Sequence, residues 1–199
     1  GSGKYAGTIE YPFEITPIDI SGADFSKTLK SKPYNGGANP PATVVKLNRK
    51  ALKAGRDYEI MYNEETESEI KGKNGGAIPV GSYTISIVGK GNYTGKVSQT
   101  QPYEVTPNTI ARVSVSGAGS AKYTGIEMKP YTVKIGRNVL PAADYKITWY
   151  RGQGKKRNAS PMKNAPTVRG KFTAVITVEG DNLTVTSRKK EIVKNFTIK

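Results

Sequence analysis

The strongest constraint on this chain is its internal repetition. Gly89-Lys90-Gly91-Asn92-Tyr93-Thr94-Gly95 leads into a polar strand that ends Pro102-Tyr103-Glu104-Val105-Thr106-Pro107. The chain opens on an echo of it, Gly3-Lys4-Tyr5-Ala6-Gly7 followed by Pro12-Phe13-Glu14-Ile15-Thr16-Pro17, with Phe13 and Pro17 each 90 positions ahead of Tyr103 and Pro107. A fainter copy closes it, Gly180-Asp181-Asn182-Leu183-Thr184 ending Asn195-Phe196-Thr197-Ile198. A fixed period of this length restricts the fold to similar units placed one after another. Each copy is a glycine-rich turn followed by a strand, and so marks the end of a unit. The expected organisation is the terminal strand of a preceding repeat over 1–17, a first repeat over 18–107 and a second over 108–199, the whole being an interior or tail piece of something larger.

Within the units the signal has the period of a β-strand. Residues 4–16 read as a strand, with Ile9, Tyr11, Phe13 and Ile15 alternating with Thr8, Glu10, Pro12 and Glu14. In the first repeat, Thr43–Leu47, Tyr58–Tyr62 and Tyr83–Val88 read as strands, with Tyr58, Ile60 and Tyr62 on one face. In the second, Tyr131–Ile135, Asp144–Trp149 and Gly170–Val178 occupy the matching places, and Trp149 falls inward with Tyr145 and Ile147. Turn residues about every ten positions point to an all-β sandwich. No stretch holds a helical stripe: Asp19–Lys30 and Lys50–Gly55 are too short or too rich in Gly, Ser and Thr.

Composition removes whole classes of chemistry. The chain has no cysteine and no histidine, so it lacks a thiol nucleophile, a disulfide and the commonest general base and metal ligand. No cofactor and no metal site is expected, and no paired acids stand in a catalytic setting. No apolar run is long enough to span a membrane. The formal charge of +15 is uneven: residues 108–199 hold eighteen Lys and Arg against five Asp and Glu, whereas residues 18–107 hold twelve against nine. Such asymmetry hints at a polyanionic partner.

The order of landmarks resembles bacterial immunoglobulin-like repeats. The first repeat carries Tyr34-Asn35-Gly36, Leu52-Lys53-Ala54-Gly55-Arg56-Asp57-Tyr58, Gly81-Ser82-Tyr83-Thr84-Ile85 and the Gly89–Gly95 turn. The second keeps Tyr123-Thr124-Gly125 and Asp144-Tyr145, but lacks the glycine in Leu140-Pro141-Ala142-Ala143 and the tyrosine in Gly180–Thr184. The resemblance implies two tandem immunoglobulin-like antiparallel β-sandwiches preceded by one leftover strand. It also implies a non-enzymatic spacer, presentation or adhesion module, secreted or at the cell surface, as in proteins of Gram-positive gut bacteria. The competing readings are a carbohydrate-binding or accessory module of a secreted glycan-degrading enzyme, and a polyanion binder. Neighbouring repeats, an anionic glycan, teichoic acid or a host surface protein are the partners to consider, with nucleic acid disfavoured because the basic loop lacks interleaved aromatics.

Both repeats carry a long connection after the Asp-Tyr strand, where recognition tends to reside. The first holds Glu64, Glu65, Glu67 and Glu69 against Lys71 and Lys73, without the alternating spacing of a calcium loop. The second holds Arg151, Lys155, Lys156, Arg157, Lys163 and Arg169 and no acid. These six are the candidate polyanion-binding residues. Gly152-Gln153-Gly154-Lys155-Lys156 lacks the frame of a phosphate loop.

Overall fold

A computed structural model describes the chain except for residues 1, 2, 5, 6, 26–29, 42, 43, 100, 118, 129 and 130. The fold is all-β apart from one short helix and three single 3-10 turns among the described residues. In the first half, Tyr58–Tyr62 pairs antiparallel with Ile85–Gly89, which pairs with Lys96–Ser98 on its other side. A second sheet places Tyr103–Thr106 between Gly81–Tyr83, antiparallel, and Lys32–Pro33, parallel. Tyr34, Tyr62, Tyr103, Ile85 and Ile87 are fully buried in this half. On Tyr58–Tyr62 the period-two pattern separates buried Tyr58 and Tyr62 from exposed Glu59, whereas the central Ile85–Gly89 strand also buries Ser86 on its other face.

The second half repeats these pairings on longer strands. Gly170–Val178 runs antiparallel to both Tyr145–Arg151 and Ile192–Ile198. Val113–Gly117, Tyr131–Ile135 and Asn138–Val139 form a facing three-stranded sheet. Phe196 is the hub of its core, edge-on to Tyr131 at 5.7 Å and to Trp149 at 5.6 Å between ring centroids, and tilted against Phe172 at 5.6 Å. Burying a ring of this size contributes roughly 1.5–3 kcal/mol. Each half is entered the same way: Ile18–Asp19 runs parallel to Tyr93–Thr94, and Asn108–Thr109 runs parallel to Leu183–Thr184, both displaced by 90 positions. The halves are thus not purely antiparallel. Ile18–Asp19, Lys32–Pro33, Asn108–Thr109 and Ser120–Ala121 each add a short parallel pair to the antiparallel ladders.

Only Pro107 separates the closing strand of the first half from the entry strand of the second. The buried side chains of both halves belong to one connected cluster. At its centre the Tyr34 hydroxyl donates to Asp144 Oδ2 at 2.5 Å, and Asn182 Nδ2 donates to Asp144 Oδ1 at 2.8 Å. Asn182 Oδ1 in turn accepts the Val80 N–H at 2.8 Å, and Asn138 Nδ2 donates to the Asn35 carbonyl at 2.9 Å. Burial, then the bond to Asp144 and its charge, push the Tyr34 phenol well above its ordinary range. Two Asn-Gly-Gly-Ala segments, at Asn35 and Asn74, bring the first half close to the second. Gly36 sits at φ +75°, where a Cβ would come within 2.7 Å of Leu140 Cδ2, and a Cβ on Gly75 would come within 2.9 Å of Pro141.

Several expectations change. The polar connection of the first half folds into a short strand, Glu65–Thr66, and a helix over Glu67–Lys73, where no helix was expected. A capping box starts it: Thr66 Oγ1 accepts the Glu69 N–H, and the Glu69 carboxylate accepts the Thr66 N–H. That acceptance holds the Glu69 carboxyl below its usual range. Ile70 alone among its residues is buried, so the helix carries no apolar periodicity to read. The strand expected over 4–16 does not form. Its described residues from 7 onward join no ladder, with Ile9, Tyr11, Phe13 and Ile15 all at least 80% exposed. Of the Thr43–Leu47 strand only Lys46–Leu47 is paired, and Thr43 lies outside the described residues.

Candidate functional site

The six basic residues all lie on the exposed surface of the second half. Arg151 ends the Tyr145–Arg151 strand in register with Phe172, its guanidinium 6.0 Å from that ring. Gly152 then turns the chain, and Lys155 and Lys156 lie on the 3-10 turn Gly154–Lys156. Arg157 stacks over Tyr150 at 4.7 Å, on the face of the sheet turned away from the core. The loop next folds back along its own strand, through Asn158 N–H to the Arg151 carbonyl at 2.8 Å and Met162 N–H to the Trp149 carbonyl at 2.7 Å. This closes part of an otherwise open sheet edge. Lys163 falls beyond that anchor, two residues from the Ala165 amide held by Glu127. Arg169 completes the loop, 5.4 Å over the Tyr123 ring.

Strand register adds residues that the loop sequence does not contain. Ala121 is paired with Ile198, and Ile198 with Gly170. One step further along these strands, Lys122, Lys199 and Arg169 lie at the same end of the sheet, and Lys171 is paired with Thr197 beside them. The Tyr123 N–H donates to the Lys199 carbonyl at 2.7 Å, which fixes Tyr123 at that end. Four of the five acids of this half sit elsewhere: Glu179 and Asp181 follow the opposite end of Gly170–Val178, Glu191 precedes the far end of Ile192–Ile198, and Asp144 is buried in the junction. The structure therefore gathers Arg151, Lys155, Lys156, Arg157 and Arg169 with Lys122, Lys171 and Lys199 at one end, and leaves Lys163 beyond the Met162 anchor. The signal for the added residues was present in the repeat, since Tyr123 occupies the place of Tyr34, which is held to the Thr106 carbonyl at 2.7 Å in the same way.

Chemically this end can hold anions. A guanidinium lying on a ring keeps its donor fork in a defined plane, and an exposed contact of this kind contributes about 0.5–1 kcal/mol. The four glutamates of the first half's long connection serve otherwise: Glu64 pairs with Lys96, Glu65 with Lys73 and Glu67 with Lys71, while Glu69 caps the helix. Among the described residues no group of three or more acids is placed to hold a metal ion. No helix among them is long and apolar enough to cross a membrane. Compared with protein-family models, curated proteins and solved structures, the chain matches none.

Proposed function

We propose that this chain is a non-catalytic, extracellular spacer or presentation module of a bacterial surface protein, built as two tandem immunoglobulin-like sandwiches over 18–107 and 108–199. The observation that carries the reading is the junction. A module that only spaces or presents must transmit orientation from one end to the other. The Tyr34–Asp144–Asn182–Val80 chain of hydrogen bonds, with the glycine-permitted contacts at Leu140 and Pro141, supplies that rigidity. A buried polar network of this kind orients its partners because every misalignment leaves a donor or acceptor unmet. The test is orientation in solution. Residual dipolar couplings of the two halves should fit one alignment tensor, and two independent tensors would remove the basis for a rigid spacer.

A second reading is favoured by the gathered cations: adhesion to an anionic polymer such as an acidic glycan or teichoic acid. Binding of this kind releases counterions, so it is weak, falls with added salt and tolerates changes in the polymer. The full chain and a variant with Lys155, Lys156 and Arg157 changed to Ser are compared on an anionic glycan matrix. Earlier elution of the variant supports the reading, and equal elution removes it.

A further inference from the structure

We infer that the face of the first half formed by Lys50, Asp57 and Asn92 is the docking site for a further sandwich unit lying ahead of it in the same chain, closed by residues 12–17. This rests on the tandem reading above and names the contact that the reading leaves open.

The segment itself is the first ground. Pro12-Phe13-Glu14-Ile15-Thr16-Pro17 is identical to Pro102–Pro107 at four of six positions and differs only by Phe for Tyr and Ile for Val. Tyr103 and Val105 are 0% and 2% exposed, on a strand with neighbours on both sides, whereas Phe13 and Ile15 are 84% and 80% exposed. The segment has the residues of an inner strand and stands outside any sheet. Such residues are suited to a gap between two strands, which is where their equivalents lie.

Where the segment leads is the second ground. Beyond Pro17 the Ile18 N–H donates to the Asn92 carbonyl at 2.9 Å, as beyond Pro107 the Asn108 N–H donates to the Asn182 carbonyl at 3.1 Å. A unit ending at Pro17 is delivered to Asn92 just as the first half is delivered to Asn182. In the second half the corresponding face, Asn138, Asp144 and Asn182, is the one the first half occupies. In the first half the same place is an open cleft of about 370 Å³ lined by Lys50, Arg56, Asp57, Gly91, Asn92 and Tyr93. By position Asp57 replaces Asp144 as acceptor of a phenol, Asn92 replaces Asn182 as acceptor of a backbone N–H, and Lys50 replaces Asn138 as donor to a carbonyl.

Two positions differ. Ile18 stands where Asn108 donates to the Tyr34 carbonyl at 2.8 Å, so that bond has no counterpart. Arg56 stands in the place of Ala143, and its guanidinium donates to both Asp57 oxygens at 2.7 and 2.8 Å. The Lys53 N–H donates to Asp57 Oδ2 as well, at 2.9 Å. A carboxylate offers about four acceptor sites, so one remains for a phenol hydroxyl with Arg56 in place.

The test is a chain in which a copy of residues 18–102 is placed directly ahead of Phe13, so that Phe13–Pro17 takes the part of Tyr103–Pro107. Amide exchange at residues 13–16 should slow by about 100-fold or more relative to the 199-residue chain. The added unit and the unit after it should share one alignment tensor, and Tyr34→Phe in the added unit together with Asn92→Ala should separate it. Slowed exchange with independently oriented units overturns the docking face and leaves the tandem reading standing. Unchanged exchange overturns both. A shared tensor that survives the two substitutions overturns the face, since the contact then lies elsewhere. Sedimentation of the 199-residue chain at rising concentration covers the other occupant: association abolished by Asn92→Ala assigns the face to a second copy and overturns the placement in the same chain.

Discussion

Changing Tyr34 to Phe removes a single oxygen atom and tests how firmly the two halves are joined. The ring is fully buried, so its packing stays, and only the 2.5 Å hydrogen bond to Asp144 is lost. Asp144 is 2% exposed, with Asn182 on its other oxygen, so water does not readily replace the phenol. A hydrogen bond to a charged group contributes about 1.5–3 kcal/mol, and leaving a buried acceptor unmet costs a similar amount. The expected loss is therefore about 2–3 kcal/mol. With a urea slope of about 2–3 kcal/mol/M, the unfolding midpoint should fall by roughly 1 M. Tyr123→Phe is the control, because it occupies the same place in the second half but is 41% exposed; it should cost less than about 0.5 kcal/mol. Equal shifts for the two variants, or a shift below about 0.5 kcal/mol for Tyr34→Phe, would refute the reasoning.

Three other outcomes are expected. Gly36→Ala, which meets both the positive φ and Leu140, should destabilise the chain more than Gly55→Ala, which has a similar φ of +80° but nothing within 4 Å; equal unfolding midpoints would show that the contact with Leu140 contributes nothing. Thr66→Ala removes the helix cap and should cost about 1 kcal/mol, read as faster amide exchange confined to residues 67–73. The Arg56 guanidinium, followed by the Lys53 amide, holds the Asp57 carboxyl down to about 2 from 3.8. Because the folded value is the lower one, its stabilisation is complete above about pH 4 and fades as pH falls toward 2. Arg56→Ala should flatten that part of an acid titration of stability.

What the sequence disclosed depended on how local the cause was. The strand over Tyr58–Tyr62 and the inward Trp149 follow from alternation, because a pleated strand presents one face to its own core, whereas Gly170–Val178, buried on both faces over Phe172–Ile176, was legible through its place in the repeat. The Asp57 turn is local in the same sense, its partner Lys53 being four residues away within the Leu52–Tyr58 landmark. The helix over 67–73 had only its capping box as a signal, with one buried residue and Gly72 inside it. Tyr34 and Tyr123 share a motif and differ in burial, because the neighbour that covers Tyr34 belongs to the other half of the chain. The basic end was half legible: the loop supplied five of its eight cations and the strand after it Lys171, while Lys122 and Lys199 arrive through strand register between segments far apart in sequence. Phe13 and Ile15 have the pattern of a core strand, but alternation alone does not say which sheet receives them.

The parallel entry and exit pairs also decide how the first half responds to force. Tension along the chain pulls residue 18 backward and residue 106 forward. Strands near those ends, Ile18–Asp19 against Tyr93–Thr94 and Lys32–Pro33 against Val105–Thr106, run in the same direction as their partners. Load applied to opposite ends of parallel strands slides them past one another, so the bonds of each pair must yield together. An antiparallel hairpin pulled at its open end would give way one bond at a time. Stretching the chain from residues 17 and 107 should therefore require more force than pulling open the Lys46–Leu47 and Lys50–Ala51 hairpin from its open end. Equal rupture forces in a single-molecule pull would contradict this reading. Tethered in line, the first half would behave as a shear clasp whose resistance is set by its unfolding rate rather than by its equilibrium stability.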